Sequence, residues 1–209
     1  EMEEPKSLTV DAFEKILDIE GNVVIDTRSP NQFVKGHVAS SLSLDLDHMG
    51  LFVGWVLEED QRFAYVLQNN ADFDRASAML YRVGLDNIIG YLATGYPGWE
   101  KKGKDIETTH NYDIEEFKRL VDEGAVKVLD VRQPHEYTGE GFPGARPIPL
   151  SNFIHRMDEL KKSESYATLC PSGIRSLTAA SLLQRAGFDH VGIPLEGMIG
   201  WNKKGYSAE

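Results

Sequence analysis

The chain contains one cysteine, Cys170, and it begins a short segment suited to holding a reactive thiol. The segment reads Cys170-Pro171-Ser172-Gly173-Ile174-Arg175-Ser176, so four residues separate the cysteine from the arginine. Inward-pointing N–H groups of such a loop, together with the N-terminus of a following helix, stabilise a thiolate. We therefore predict that Cys170 is a nucleophile. The alternative is a small buried apolar residue, the more common role of a lone cysteine, but the glycine and the arginine favour the first interpretation.

The residues around this loop predict the elements that position it. An apolar run over residues 166–169 predicts a strand, and residues 177–186 predict a helix that ends at Gly187. This arrangement places Cys170 at the first position of a strand–loop–helix turn and Arg175 near its last position.

The sequence repeats itself with a period of 104 residues. Equivalent positions hold the same residue in both copies: Phe13 and Phe117, Asp26 and Asp130, Arg28 and Arg132, Pro30 and Pro134. Each copy predicts a helix (residues 10–17 and 114–121) followed by a strand (residues 23–26 and 126–130). Alternation of this kind indicates α/β units with mainly parallel sheets flanked by helices. We predict two domains, residues 1–104 and 105–209, joined by the charged segment 101–105.

The two copies differ at the loop. Leu67 stands opposite Cys170, and Asp72 stands opposite Arg175. The first copy therefore lacks the thiol, and an acidic side chain there opposes the binding of an anion. We predict that the first domain is degenerate and non-catalytic, and that the second is catalytic.

Composition restricts the classes of partner. The net charge of −11 argues against a nucleic-acid or anionic-membrane surface, and no apolar run is long enough to span a bilayer. No signal peptide opens the chain, and a single cysteine excludes an internal disulfide and fits a reducing compartment, so we expect a cytoplasmic location. The histidines show no metal-ligand spacing, so we expect neither a metal nor another cofactor.

The motifs of the second copy, taken in order, resemble those of a rhodanese domain. They are Asp130-Val131-Arg132, Glu136-Tyr137, Pro143-Gly144-Ala145, Ile148-Pro149-Leu150, the loop from Cys170 to Arg175, and Leu195-Glu196-Gly197 with Trp201. The whole chain resembles tandem rhodanese domains. Its first half is similar to the degenerate rhodanese domain that follows a metallo-β-lactamase domain in persulfide-dioxygenase-like fusions, which implies an upstream metal-dependent domain as a partner. The second half departs from the family pattern, since it reads Gly141-Phe142-Pro143-Gly144 where the family commonly has Gly-His-Ile-Pro-Gly; the histidine is kept only in the first half, as His37.

The resemblance implies sulfur transfer between small molecules. A donor such as thiosulfate, a polysulfide or a thiol persulfide gives its outer sulfur to Cys170, and a thiol or cyanide acceptor removes it. Arg175 is implied to orient an anionic donor. The backbone N–H groups from Ser172 to Ser176 are implied to stabilise the sulfur anion; they belong to Ser172, Gly173, Ile174, Arg175 and Ser176.

Two acidic residues near the loop have structural interpretations. Asp130 ends a predicted strand, where it either braces Arg175 or the loop or forms a structural pair with Arg132. The persistence of Asp26 and Arg28 in the other half favours the pair. Glu136 follows Arg132 by four residues and is interpreted as its partner at the start of a helix.

Two other functions remain open from the sequence. Cysteine phosphatases also use a cysteine-to-arginine loop, but theirs has one more intervening residue; the smaller ring here suits a single sulfur atom. A non-catalytic adaptor, in which both domains bind partners or regulate a metal-dependent domain, fits the first half. The intact loop from Cys170 to Arg175 counts against it in the second.

Overall fold

The protein folds into two compact units, Glu1–Thr108 and Thr109–Glu209. The structure is a computed structural model that describes residues 5–137 and 141–206. Each unit contains a five-stranded sheet whose described strand pairs are all parallel, with helices packed against it. This confirms the predicted α/β class with mainly parallel sheets.

The first unit has the sheet order β1-β6-β5-β2-β4. Its strands are β1 (Lys6–Leu8), β2 (Asn22–Asp26), β3 (His37–Val38), β4 (Leu42–Ser43), β5 (Arg62–Val66), β6 (Ile88–Leu92) and β7 (Ile106–Glu107). Its helices are α1 (Val10–Leu17), α2 (Pro30–Phe33), α3 (Met49–Val56), α4 (Phe73–Tyr81) and α5 (Gly95–Lys101). The short strands β3 and β7 pair antiparallel, so residues 106–107 belong structurally to this unit.

The second unit has the sheet order β10-β9-β11-β12-β8. Its strands are β8 (His110–Asn111), β9 (Lys127–Asp130), β10 (Arg146–Pro147), β11 (Tyr166–Leu169) and β12 (Val191–Ile193). Its α-helices are α6 (Ile114–Asp122), α7 (Ile174–Arg185) and α8 (Gly197–Lys203), and a short 3-10 helix spans Pro134–Glu136.

The repeated sequence produces repeated local structure. The first helix of each unit begins at a side chain that accepts a backbone N–H: Thr9 accepts from Ala12 at 3.3 Å, and Asp113 accepts from Glu116 at 2.7 Å. Every residue of β2 and of β11 is buried, as in strands covered by helices on both faces of a parallel sheet. These two interior strands fix the position of the loops that follow their carboxyl ends.

Aromatic residues occupy matching places in the two cores. Phe13 meets Trp99 edge to face at 6.0 Å, and Phe117 meets Trp201 in the same way at 5.7 Å. All four rings are buried, so the two tryptophans serve packing. Within the described ranges, no helix combines the length and the apolar character needed to cross a bilayer.

Candidate active site

Cys170 lies directly after β11, at the carboxyl edge of the second sheet. Strand β11 runs parallel to β9, with Leu169 level with Asp130, so both strands end at the same edge. The carboxyl edge is where open α/β sheets place their ligands. Helix α7 begins at Ile174, three residues earlier than predicted, so Arg175 lies in its first turn and not in the loop. The loop itself is the short segment from Cys170 to Gly173.

The thiol is enclosed by the start of α7. Cys170 is 1% exposed, and the backbone N–H of Ser176 donates to its Sγ at 3.4 Å. The Ser176 side chain is also buried, and its hydroxyl has no hydrogen-bond partner among the residues that the structure describes. Ser172, Gly173 and Ile174 form the rest of the turn, and their predicted contacts with the sulfur stay predictions.

The loop is held from outside by helix α8. The backbone N–H of Met198 donates to the Cys170 carbonyl, and that of Ile199 donates to the Pro171 carbonyl, both at 3.0 Å. The first N–H groups of a helix have no partner within it, so α8 uses two of its own to fix the loop carbonyls. This contact explains why the segment Leu195-Glu196-Gly197 accompanies the cysteine loop in the sequence.

Two glycines permit this close approach. Gly173 has φ +79° and Gly197 has φ +57°, a conformation that favours glycine. A Cβ at Gly173 would overlap the Leu195 carbonyl, and a Cβ at Gly197 would overlap the carbonyls of Cys170 and Pro171. The loop and the start of α8 therefore pack backbone against backbone.

Arg175 forms a two-pronged ion pair with Glu136. Its two terminal nitrogens donate to the two carboxylate oxygens at 2.5 and 2.6 Å. Glu136 also accepts the backbone N–H of Gln133 at 2.7 Å. These contacts, Arg175 first among them, lower the pKa of Glu136 to about 2, so the carboxylate is ionised across the physiological range.

The interpretation of Glu136 as the partner of Arg132 is wrong. Glu136 ends a 3-10 helix that begins at Pro134, so the spacing rule for an α-helix does not apply to it. Arg132 pairs with Asp130 instead, through Nη2 at 2.6 Å and Nε at 2.9 Å. Sequence reasoning missed the contact between Glu136 and Arg175, which joins the segments that follow two neighbouring strands.

The pair of Asp130 and Arg132 recurs in the first unit. Arg28 donates to Asp26 through Nη2 at 2.6 Å and through Nε at 2.9 Å, and all four residues are buried. Because the same geometry occurs in the half without a thiol, it serves the turn after the strand. Asp130 and Arg132 hold the turn after β9, at the sheet edge where β11 also ends, and their supporting role at the site stays a prediction.

The equivalent place in the first unit is an open cavity of about 660 Å³ without a thiol. Arg28 and ten uncharged residues line this cavity. The uncharged residues are Gln32, Leu67, Gln68, Asn69, Asn70, Ala93, Thr94, Gly95, Tyr96 and Pro97. Two N–H groups of this loop are bonded within it, since Ala71 donates to the Asn69 side chain at 3.0 Å and Asp72 to the Asn69 carbonyl at 2.9 Å.

The described part of the chain holds no cluster of three or more histidine, cysteine, aspartate or glutamate side chains arranged to bind a metal ion. The chemistry available at the loop is that of a buried sulfur, backbone donors and one arginine–glutamate pair.

Part of the chain is similar in sequence to several named proteins. The chain is 32% identical over 108 residues to a putative sulfur carrier protein, YrkF, of Bacillus subtilis, covering 51% of this chain and 58% of that one. It is 32% identical over 88 residues to a sulfurtransferase of Allochromatium vinosum, covering 42% of this chain and 82% of that one. It is 30% identical over 88 residues to the thiosulfate sulfurtransferase GlpE of Pseudoalteromonas translucida, covering 42% and 84%.

Among solved structures, a thiosulfate sulfurtransferase from Pseudomonas aeruginosa aligns with 97% of this chain and 43% of its own, at 21% identity and a TM-score of 0.44. The chain thus spans less than two thirds of that protein and of the Bacillus protein. The model of the rhodanese-like domain matches twice, over residues 9–102 and 113–204. Two matches that take in most of the chain show that it belongs to the rhodanese-like domain family.

Proposed function

We propose that this protein is a sulfurtransferase in which Cys170 carries a sulfane sulfur as a persulfide. The observation that carries the proposal is the buried Sγ at the carboxyl end of β11, with the Ser176 N–H directed at it at 3.4 Å. A hydrogen-bond donor at this place stabilises a sulfur anion relative to a neutral thiol. A nucleophile that also carries a persulfide needs such stabilisation.

The proposed reaction has two displacement steps. The Cys170 thiolate attacks the outer sulfur of the donor, the sulfur–sulfur bond of the donor breaks, and its electron pair leaves with the remainder, as sulfite from thiosulfate or as a thiolate from a thiol persulfide. An acceptor thiolate or cyanide then attacks the terminal sulfur of the Cys170 persulfide and releases the Cys170 thiolate. Each step exchanges one bond to the transferred sulfur for another, so no external oxidant or reductant is needed.

Two kinds of finding support this assignment. The chain belongs to the rhodanese-like family, and similar proteins bear the names sulfurtransferase and thiosulfate sulfurtransferase. In addition, the fixed carbonyls of Cys170 and Pro171 preorganise the turn, so its N–H groups need no rearrangement when charge reaches the sulfur. Arg175, in the first turn of α7, is proposed to orient the donor.

The first unit is proposed to take no part in the transfer. It has Leu67 at the position of Cys170 and Asp72 at that of Arg175, and two of its loop N–H groups are bonded within the turn. A non-catalytic role, as in an adaptor, therefore suits this unit alone.

Intact-protein mass spectrometry tests the proposal. After exposure to thiosulfate, a polysulfide or a low-molecular-weight thiol persulfide, we expect a gain of one sulfur atom that cyanide or a thiol removes. Cys170→Ser keeps the fold and gains none. Hydrolysis of an aryl phosphate by the unmodified chain, lost in Cys170→Ser, would overturn the assignment in favour of a phosphatase.

A further inference from the structure

The pair of Glu136 and Arg175 bears on which donor the site accepts. We propose that Glu136 is a specificity-determining residue, which neutralises Arg175 and makes the site favour a thiol persulfide, with at most one negative charge on its sulfane-sulfur group, over the dianion thiosulfate. This inference rests on the proposed sulfur transfer at Cys170.

The geometry shows that the guanidinium is already engaged. Both terminal nitrogens of Arg175 donate to Glu136, at 2.5 and 2.6 Å, which fills the fork that would otherwise bind an oxyanion. The two side chains are 14% and 23% exposed, so solvent screens them only in part. A dianion that displaced Glu136 would leave a partly buried carboxylate without its partner.

The other cation at this sheet edge is also neutralised. Arg132 is bound by Asp130, and both are buried. The guanidinium groups of Arg175 and Arg132 are therefore each neutralised by a paired carboxylate, which weakens their attraction for thiosulfate. A singly charged or neutral sulfur group avoids the repulsion from Glu136.

The first unit shows that the charge of Glu136 is not needed for the fold. Gln32 occupies the corresponding position, and its side-chain oxygen accepts the backbone N–H of Ser29 at 3.2 Å, as Glu136 accepts that of Gln133 at 2.7 Å. A neutral amide thus caps the same turn. The carboxylate and the arginine are absent together from the half without a thiol, where Asp72 replaces Arg175. The charged pair therefore accompanies the chemistry and not the turn.

The closing experiment uses Glu136→Gln in the full chain. Gln32 is the precedent for a folded turn with this side chain, and the variant frees the Arg175 fork. We expect the rate constant for persulfide formation from thiosulfate to rise about tenfold, the factor that corresponds to one charge-assisted hydrogen bond. The rate constant with a low-molecular-weight thiol persulfide should change less than about twofold, since little charge repulsion is relieved.

Glu159→Gln is the matched control. It removes the same charge from a carboxylate that binds two other arginines of the unit, Arg156 at 2.7 Å and Arg146, and should leave both rate constants unchanged. A thiosulfate rate that is unchanged or lower in Glu136→Gln would overturn the inference while leaving sulfur transfer intact. Should Glu136→Gln fail to fold, the unmodified chain decides, because faster reaction with thiosulfate than with the thiol persulfide contradicts the inference. Absence of a persulfide with every donor would instead overturn the proposed function.

Discussion

The buried aspartate–arginine pair that follows a central strand is the residue-scale feature shared by both units. Asp130 is 1% exposed and holds a buried Arg132 through several hydrogen bonds. Asp130→Asn should destabilise the protein by about 3–5 kcal/mol, because it leaves a buried guanidinium without its counter-charge. Urea unfolding of the full chain measures this loss.

Asp26→Asn is the matched change in the unit without a thiol. It should lower stability comparably while the transfer rate per folded molecule stays unchanged, since Asp26 and Arg28 repeat the geometry far from any nucleophile in the sequence. An Asp130→Asn protein of normal stability that transfers no sulfur would contradict the structural role and place Asp130 in the chemistry.

Residues whose role depends on local sequence were predictable, and those whose partner is distant were not. Cys170, Gly173 and the strand before them follow from one short segment, so the loop could be identified from the sequence. Arg175 meets Glu136 across 39 positions, because β9 and β11 are neighbours that end at the same sheet edge. Strand order is not written in local periodicity, so the i+4 rule assigned Glu136 to the wrong arginine.

At the scale of elements, the turn between β11 and α7 depends on the absence of a side chain at Gly173. Gly173→Ala should reduce sulfur transfer strongly, because a Cβ there overlaps the Leu195 carbonyl and pushes the loop away from α8. The positive φ of +79° adds about 1 kcal/mol of backbone strain. Persulfide formation and urea unfolding of the variant measure the two effects.

Gly124→Ala separates the two causes. Gly124 has φ +66° in the same unit, but a Cβ there meets nothing within 4 Å. It should lose only the strain term and keep full transfer activity. Equal loss of activity in both variants would show that overlap with the Leu195 carbonyl is not the cause.

A second element-scale prediction concerns the corresponding turn of the first unit. Leu67→Cys, made in a Cys170→Ser background, should not restore sulfur transfer. The N–H groups of Ala71 and Asp72 are bonded to Asn69, and Asp72 brings negative charge where the second unit has Arg175. Mass spectrometry after treatment with a thiol persulfide checks this; removable sulfur on the introduced thiol, gained at the rate of the parent chain, would show that a thiol alone is sufficient.

The positions of helices and strands could be predicted from the spacing of apolar residues, but the start of a helix within a polar loop could not. The predicted helix over residues 10–17 matches α1, and the predicted strand over 166–169 matches β11. Helix α7 begins earlier than predicted because Gly173, in the left-handed conformation, starts it within the cysteine loop. The sequence did not predict this start, because the first residues of α7 show no helical spacing of apolar side chains.

At the scale of the whole molecule, duplication gave two units with one fold and different ionisable groups. His37 of the first unit is fully buried and stacks on Phe33 at 3.7 Å, with Nδ1 at 2.9 Å from the Phe33 carbonyl. Burial, aided by the charge of Arg28, lowers the pKa of His37 to about 4. Burial keeps the imidazole uncharged near neutral pH although Glu107 lies 3.7 Å from Nε2. At the repeat spacing of 104 residues, Gly141 stands opposite His37, so the second unit has no imidazole at this position.

The two units should therefore lose stability in different pH ranges. The unfolded chain binds a proton at His37 below pH about 6.5, whereas the folded first unit resists it until about 4. The contribution of His37 is thus complete above pH about 6.5 and is lost on acidification, by about 3 kcal/mol in total. Glu136, in the second unit, contributes stability that is lost at lower pH. Because its folded pKa is about 2, this contribution is lost only as the pH falls below about 4.5. Between pH about 6.5 and about 4.5, only the first unit should lose stability through these two groups.

Hydrogen exchange, measured separately on peptides from the two units at pH about 7.5 and about 4.5 and corrected for intrinsic rates, tests this difference. His37→Asn keeps a donor for the Phe33 carbonyl but cannot take up the proton, so the acid sensitivity of the first unit should disappear. Persistence of that sensitivity in His37→Asn would assign it to another group.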